Sequence, residues 1–140
     1  MYKDKICLLL INSYMVNFDL SLEQSRVLSE EKFSLLESYI KEEKATLFGV
    51  VDSNELIGFI WLHKHTFFEE ERLHVNQIVI DYQYRGKGIA KKLIKEAEDL
   101  ALREGLSAID LFVSENNVNA LEMYKKLGFE TERRYMKKKM

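Results

Sequence analysis

The stretch that most constrains the fold covers residues 75–104, where an apolar segment is followed by a glycine-containing turn and a long amphipathic segment. Residues 75–80 are typical of a buried strand. A helix is predicted from about Gly88, because apolar residues then recur every three or four positions. These residues are Ile89, Ala90, Leu93, Ile94, Ala97 and Ala101. Gly105 is typical of a helix end and residues 108–113 of another strand, so we expect a right-handed crossover between parallel strands.

The turn before this helix has the chemistry of a phosphate-binding loop. The N–H groups and dipole of a helix N-terminus attract anions, and Gly86 and Gly88 leave the backbone open to close approach. Four cationic side chains surround the same helix end: Arg85, Lys87, Lys91 and Lys92. The glycine spacing matches neither the Walker loop nor the three-glycine dinucleotide fingerprint. On its residues alone, the turn indicates either a phosphate or pyrophosphate site or an ordinary strand-to-helix turn with solvated lysines.

Two motifs in this part of the chain resemble those of the GNAT superfamily of N-acetyltransferases. Residues 83–88 (Gln-Tyr-Arg-Gly-Lys-Gly) are similar to the family's Gln/Arg-x-x-Gly-x-Gly/Ala signature, whose loop wraps the pyrophosphate of acetyl-coenzyme A. The second motif has the family's spacing and consists of Asn117, Ala120, Tyr124, Gly128 and Phe129. The resemblance covers residues 45–130 and is poor over the first forty residues.

The resemblance implies a single α/β domain over residues 1–140. Its GNAT-like fold would have a mixed, mostly antiparallel central sheet with a parallel, splayed strand pair, flanked by about four helices. The implied activity is direct transfer of an acetyl group from acetyl-CoA to a primary amine of a small molecule or protein, within a ternary complex. The alternative is a non-catalytic acyl-CoA-binding module, which the absence of an obvious general base favours.

The resemblance also implies the residues that contact the cofactor, mostly through their backbone. They are Ile78, Val79, Ile80, Arg85, Gly86, Lys87, Gly88, Ile89, Ala90, Lys91, Asn117 and Tyr124. The N–H of Ile80 is the expected oxyanion donor, and Tyr124 matches the tyrosine usually proposed as general acid. The alternative interpretation of Tyr124 is core packing, and that of Asn117 is a plain helix N-cap with Asn116 as competitor.

The general base is the least defined part of the predicted site. His74 lies at about the expected depth on the strand before the turn and is expected to share a face with Ile78 and Ile80, since strand side chains alternate. A neutral imidazole there could accept an ammonium proton, and Glu71 is the second candidate. Phe112 occupies the other position at which family members carry a glutamate. The competing interpretation of His74 is a partly exposed strand histidine without a catalytic role.

Other polar clusters carry weaker signals. His63 and His65 share a strand face, but no nearby cysteine or second cluster completes a metal site, so no metal is predicted. The acidic run at residues 69–71 is interpreted either as a receptor for a cationic amine or as a solvated hairpin. The acceptor is accordingly expected to be a small-molecule or peptide amine.

Composition narrows the remaining function classes. A net charge of −2 over 140 residues gives no reason to expect nucleic-acid binding, and no segment reaches transmembrane length. The single cysteine, Cys7, cannot form an internal disulfide and is interpreted as a buried structural thiol, which favours a cytoplasmic location. A homodimer is common in the family, although nothing in this sequence marks an interface.

The other elements follow from local patterns. Residues 4–16 are interpreted as a helix, with a strand at residues 6–11 as the alternative, and a loop is expected over residues 17–28. Ser29 is the expected N-cap of the next helix. The remaining predictions are strands at 47–52 and 56–65 around a turn at 53–55, a hairpin loop at 67–71, a helix at 118–127 and one or two strands at 129–138.

Overall fold

The computed structural model describes residues 2–140 and contains one four-stranded sheet with four helices. The helices are α1 (Lys3–Phe18), α2 (Leu22–Lys41), α3 (Ile89–Arg103) and α4 (Val118–Lys126). The strands are β1 (Ala45–Asp52), β2 (Glu55–Phe67), β3 (Glu70–Ile80) and β4 (Ala108–Leu111). The sheet order is β1-β2-β3-β4, with antiparallel pairing except between β3 and β4, which are parallel. The predicted fold class is therefore confirmed.

Each face of the sheet is covered by a pair of helices. On one face, α3 and α4 pack on β2 and β3 through a core that includes Leu62, Val75, Leu93, Ile94 and Tyr124. On the other face, α1 packs through Ile6, Leu9, Leu10 and Tyr14 against Phe59 and Val79. Buried apolar area on both faces fixes the sheet between the helix pairs.

A bulge in β3 and the short length of β4 open the sheet near its centre. Trp61 pairs with Gln77 and Leu62 with Val75, so Asn76 is an extra residue in β3. The β3–β4 pairing ends where Val75 meets Leu111, whereas β3 continues to Ile80. Among residues 2–140, no strand pairs with residues 76–80 on the β4 side, and this opening is the splay that the resemblance implied.

The loop between α1 and α2 is shorter than the sequence predicts. Residues 4–16 are helical, which resolves the helix-or-strand alternative. The second helix begins earlier than predicted, because Ser21 rather than Ser29 is its N-cap: the Ser21 side chain accepts from the Gln24 N–H and the Gln24 side chain accepts from the Ser21 N–H. Ser29 is a buried residue inside α2, and the predicted loop at 17–28 shrinks to residues 19–21.

The C-terminal part also departs from the prediction. Strand β4 ends at Leu111 rather than at residue 113, and the described residues 129–140 form no strand. Phe129 packs on the core of the α3–α4 face, but the rest of this segment is exposed and offers no apolar face to bury against the sheet. It is attached instead by a bidentate ion pair between Glu132 and Arg72, with N–O distances of 2.6 and 2.7 Å. Among residues 2–140, no helix has the length and apolar character needed to cross a membrane.

Candidate active site

The glycine turn presents an open backbone at the N-terminus of α3. Gly86 and Gly88 have φ angles of 77° and 78°, a left-handed conformation that glycine adopts without strain. A Cβ at either position would meet no atom within 4 Å, so the space above the turn is free. Within α3, Lys92 is the first residue whose N–H donates to a backbone carbonyl, that of Gly88, at 3.2 Å. In the described chain, the N–H groups of residues 86–91 have no protein acceptor, which leaves them available to an anion.

The cationic side chains around this helix end are exposed, as expected for groups that meet a ligand from solvent. The Arg85 guanidinium lies 5.6 Å from the centre of the Tyr82 ring, and the Lys87 ammonium lies 5.1 Å from that of Tyr84. These aromatic contacts hold two of the charges beside the turn. The side chain of Ile89 is buried in the core, so it can contribute to a site here only through its backbone.

The opening between β3 and β4 lies directly before this turn. The side chains of Ile78 and Ile80 pack on the α3–α4 side of the sheet, whereas Val79 packs on the α1 side. The three backbones pair with β2 along one edge only, at Ile60, Phe59 and Gly58 respectively. Their other edge faces the splay, so it can bind an extended ligand by hydrogen bonds.

Tyr124 lies in the same core cluster as Ile78 and Ile80, with its ring 5.5 Å from that of Phe129. Burial raises the pKa of Tyr124 to about 12. Within residues 2–140 its hydroxyl has no hydrogen-bond partner. Asn117 is the N-cap of α4, because its side chain accepts from the Ala120 N–H at 3.3 Å. Asn117 rather than Asn116 is therefore the N-cap of α4, and its contact with the cofactor stays a prediction.

A histidine–aspartate cluster occupies the opposite face of the sheet, beside the start of the splay. His74 Nδ1 lies 2.8 Å from Asp110 Oδ1, and His65 Nε2 lies 2.7 Å from Asp110 Oδ2. An ionised carboxylate only accepts hydrogen bonds, so both imidazole nitrogens donate to it. Burial disfavours the charged form of Asp110, but the bonds from His74 and His65 outweigh burial and lower the pKa of the carboxyl.

The position of His74 corrects one expectation from the sequence. His74 pairs with His63 and contacts Phe112 at 5.5 Å between ring centres. It does not share a face with Ile78 and Ile80, because the extra residue Asn76 reverses the alternation of β3 between them. Glu71 is exposed and, three positions before His74, points to the other face, so it does not join the cluster.

His63 completes the cluster without bonding to the carboxylate. Its ring lies 5.1 Å from His74 and 5.3 Å from Tyr39. Burial, with a smaller contribution from the neighbouring His74 and His65, lowers the pKa of His63 to about 4. Its Nδ1 is buried and has no partner among the described residues. His63 is thus a neutral imidazole near neutral pH and a weaker base than an ordinary histidine.

Asp110 is the functional candidate that sequence reasoning missed. It is the single charged residue in the apolar strand β4, at a position where an unsatisfied carboxylate would be costly. That anomaly is visible in the sequence, but its partners depend on the β3–β4 register, in which His74 pairs with Asp110.

Cys7 is half-buried on α1 rather than fully buried, and burial raises the pKa of its thiol. A thiol with a raised pKa is a poor nucleophile at neutral pH. This agrees with the expectation that Cys7 takes no part in chemistry.

Known proteins share this sequence pattern and this fold. The model of the acetyltransferase (GNAT) family matches residues 12–129. An uncharacterized N-acetyltransferase of Methanocaldococcus jannaschii is 37% identical over 62 residues, which are 44% of this chain and 27% of that protein. The spermine/spermidine N(1)-acetyltransferase of Bacillus subtilis is 30% identical over 87 residues, 59% of this chain and 57% of that protein. The chain thus spans less than two thirds of the length of either relative.

The structural likeness extends over more of the chain than these sequence matches do. The PaiA N-acetyltransferase of Thermoplasma acidophilum, in complex with coenzyme A, superposes with a TM-score of 0.77 at 24% identity. The superposition covers 94% of this chain and 85% of that one. At this identity the likeness shows the fold alone.

Proposed function

Because the chain belongs to the GNAT acetyltransferase family, we propose that it transfers the acetyl group of acetyl-CoA to a primary amine by direct transfer in a ternary complex. The observation that carries this proposal is the splay after Val75, which lies between the open glycine turn on one side and the His74–Asp110 pair on the other. A thioester bound from the α3 side would then meet an amine bound from the α1 side at the opening.

The residues around the glycine turn fit coenzyme A. Its pyrophosphate would accept hydrogen bonds from the free N–H groups of residues 86–91. The cationic side chains of Arg85, Lys87 and Lys91 would balance its charge. Its pantetheine arm would bind the unpaired backbone edge of residues 78–80 as an additional strand. When bound, the cofactor supplies the activated acetyl group, and the chain's own residues bind and orient it.

His74 is the proposed general base. Because His74 Nδ1 donates to Asp110, its Nε2 keeps a free lone pair that can take the ammonium proton, directly or through water. Asp110 is a positioning residue that fixes this tautomer and stabilises the imidazolium that forms. His63 is a poorer choice, since its pKa is lowered to about 4. A base of this kind also weakens the case for a non-catalytic module.

The oxyanion and the leaving thiolate require donors rather than bases. The N–H of Ile80, on the open edge of β3, is the proposed oxyanion donor. Tyr124 is the proposed partner of the departing sulfur. With a pKa of about 12, full proton transfer to a thiolate of pKa near 8.5 would be uphill by ~5 kcal/mol. Tyr124 would therefore act by donating a hydrogen bond to the thiolate.

The acceptor is proposed only as a class, a primary amine of a small molecule or a protein. One matched relative is named for spermine and spermidine and another for mycothiol, so related chains serve chemically different acceptors. The reaction as proposed needs no metal cofactor.

The test is an acetyl-transfer assay in which free thiol release is followed across a panel of polyamines, aminosugars and peptide N-termini. With a responsive amine, His74→Gln should lower kcat by about 100-fold or more, because general acid–base catalysis typically contributes 10²–10⁴-fold. His63→Gln is the matched control, because it removes an imidazole from the same cluster that does not bond to Asp110. It should keep kcat within a few-fold of wild type.

Two outcomes would overturn this proposal. If acetyl-CoA binds but no amine in the panel is acetylated, the acyl-CoA-binding module becomes the better account. If His74→Gln and His63→Gln retain equal activity, the base is another group.

A further inference from the structure

We infer that His65, His74 and Asp110 together form a binding site for a divalent transition-metal ion of the Zn²⁺ type. One donor atom comes from each of three adjacent strands, β2, β3 and β4, and the three atoms lie within 4.8 Å of one another. The site goes beyond the proposed acetyl transfer, which uses no metal.

The distances between the donor atoms suit an ion of this size. Asp110 Oδ1 lies 2.8 Å from His74 Nδ1 and 2.9 Å from His65 Nε2. In a tetrahedral zinc site with bonds of about 2.0–2.1 Å, neighbouring donors are about 3.3 Å apart. The two contacts of Asp110 Oδ1 would each need to open by about half an ångström. Two imidazoles and one carboxylate form a donor set that zinc prefers, and they leave a fourth position open for water.

The sheet itself holds the donors in place. His74 on β3 pairs in register with Asp110 on β4. His65 lies on β2, opposite Arg72 on β3. The side chains of His65, His74 and Asp110 are 31%, 14% and 22% exposed, so an ion can reach them from solvent. Little backbone entropy would be lost on binding, because strands rather than loops supply the donors.

Arg72 is the cation that already neighbours the site, and its contacts leave Asp110 available. Its guanidinium approaches Asp110 at 3.4 Å but binds Glu132 at 2.6 and 2.7 Å and Glu70 at 2.5 Å. Of the three carboxylates that contact Arg72, Asp110 is thus the one that it binds most weakly. The three carboxylates outnumber the two guanidinium groups at this corner of the sheet, those of Arg72 and Arg133, so a negative balance remains that attracts a cation.

Occupancy would have a consequence that rests on the proposed function. A metal on His74 Nδ1 requires the ring proton to sit on Nε2, the atom proposed to accept the proton of the amine. The bound ion and the catalytic base would therefore exclude each other, and Zn²⁺ would inhibit acetyl transfer.

The site is tested on the whole chain with every affinity tag removed, in a buffer that does not chelate metal. Calorimetric titration with ZnCl₂, without acetyl-CoA or amine, should show one ion per chain. His65→Gln and Asp110→Asn should each weaken binding by about tenfold or more, since each removes one of three ligands. His63→Gln and Cys7→Ser are matched controls, an imidazole and a thiol outside the donor set, and should bind as wild type does.

No binding by folded wild type, or equal affinity in His65→Gln, would overturn the proposal. Loss of binding only in His63→Gln or Cys7→Ser would also overturn it, because the ion would then sit elsewhere. Circular dichroism checks each variant, and if Asp110→Asn fails to fold, His65→Gln decides. Failure of this titration leaves the acetyl-transfer assay untouched, and failure of that assay leaves this titration untouched.

Discussion

Replacing Tyr124 by phenylalanine should lower activity without lowering stability. The Tyr124 side chain is buried, and within residues 2–140 its hydroxyl has no hydrogen-bond partner, so its removal breaks no internal hydrogen bond. We therefore expect the free energy of unfolding to stay within about 1 kcal/mol of wild type or to rise.

The expected loss of activity follows from the same hydroxyl. A hydrogen bond to a charged group is worth about 1.5–3 kcal/mol, so losing the bond to the departing thiolate should lower kcat by about 10- to 150-fold. The affinity for acetyl-CoA should change little, because the thiolate exists only after the thioester begins to break. Thiol-release kinetics give kcat, calorimetry gives the affinity, and urea unfolding gives the stability.

Tyr14→Phe is the matched control. Tyr14 is equally buried, its hydroxyl also lacks a partner in the described chain, and burial raises its pKa to about 12 as well. It packs on the α1 face of the sheet, whereas Tyr124 packs in the core on the α3–α4 face. Unchanged kcat in Tyr124→Phe, or equal losses in both variants, would refute the catalytic role of the Tyr124 hydroxyl.

Three further predictions concern stability and the acceptor. Ser21→Ala should lower the free energy of unfolding by about 1 kcal/mol in urea titrations, because it removes the capping box of α2; no change would show that the cap is unimportant. Above pH 10 the unfolded tyrosines ionise while buried Tyr14 and Tyr124, with pKa values of about 12, stay neutral. The stability they contribute is complete below pH 10 and falls as pH rises towards 12, by about 1.4 kcal/mol per unit for each. The double phenylalanine variant should flatten this decline, and an unchanged pH slope would contradict the assignment. Reversing the charges of Glu69 and Glu71 should raise KM for cationic amines more than for neutral ones, and unchanged kinetics would remove this loop from acceptor binding.

Local patterns predicted the parts of the molecule that local physics determines. Helix α3 and its glycine turn were predictable because each signal is local: the apolar residues recur every three or four positions, and the glycines at residues 86, 88 and 105 act at the two ends of the helix. The start of α2 was not predictable, because α1 and α2 carry exposed apolar residues outside their buried faces, such as Val16 and Val27. Periodicity alone then gives no sharp end to either helix.

The catalytic arrangement depends on long-range register, which the sequence does not display. A single bulge residue, Asn76, turns His74 to the face opposite Ile78 and Ile80. Parallel pairing of β3 with β4 then brings His74 beside Asp110, 36 residues later in the chain. Counting along one strand cannot detect either effect, because each is decided by the neighbouring strand.

The most direct test of this account is calorimetric titration with acetyl-CoA. Wild type should bind one equivalent with micromolar affinity, and Gly86→Glu combined with Gly88→Glu should abolish binding by placing two carboxylates over the open N–H groups. Gly105→Glu combined with Gly128→Glu is the matched control, since these glycines also have positive φ angles, 70° and 97°, and a Cβ at either would meet no atom within 4 Å. This control should bind as wild type does. Absence of binding by folded wild type, or equal binding by both double variants, would contradict the assignment of the turn as the coenzyme A site.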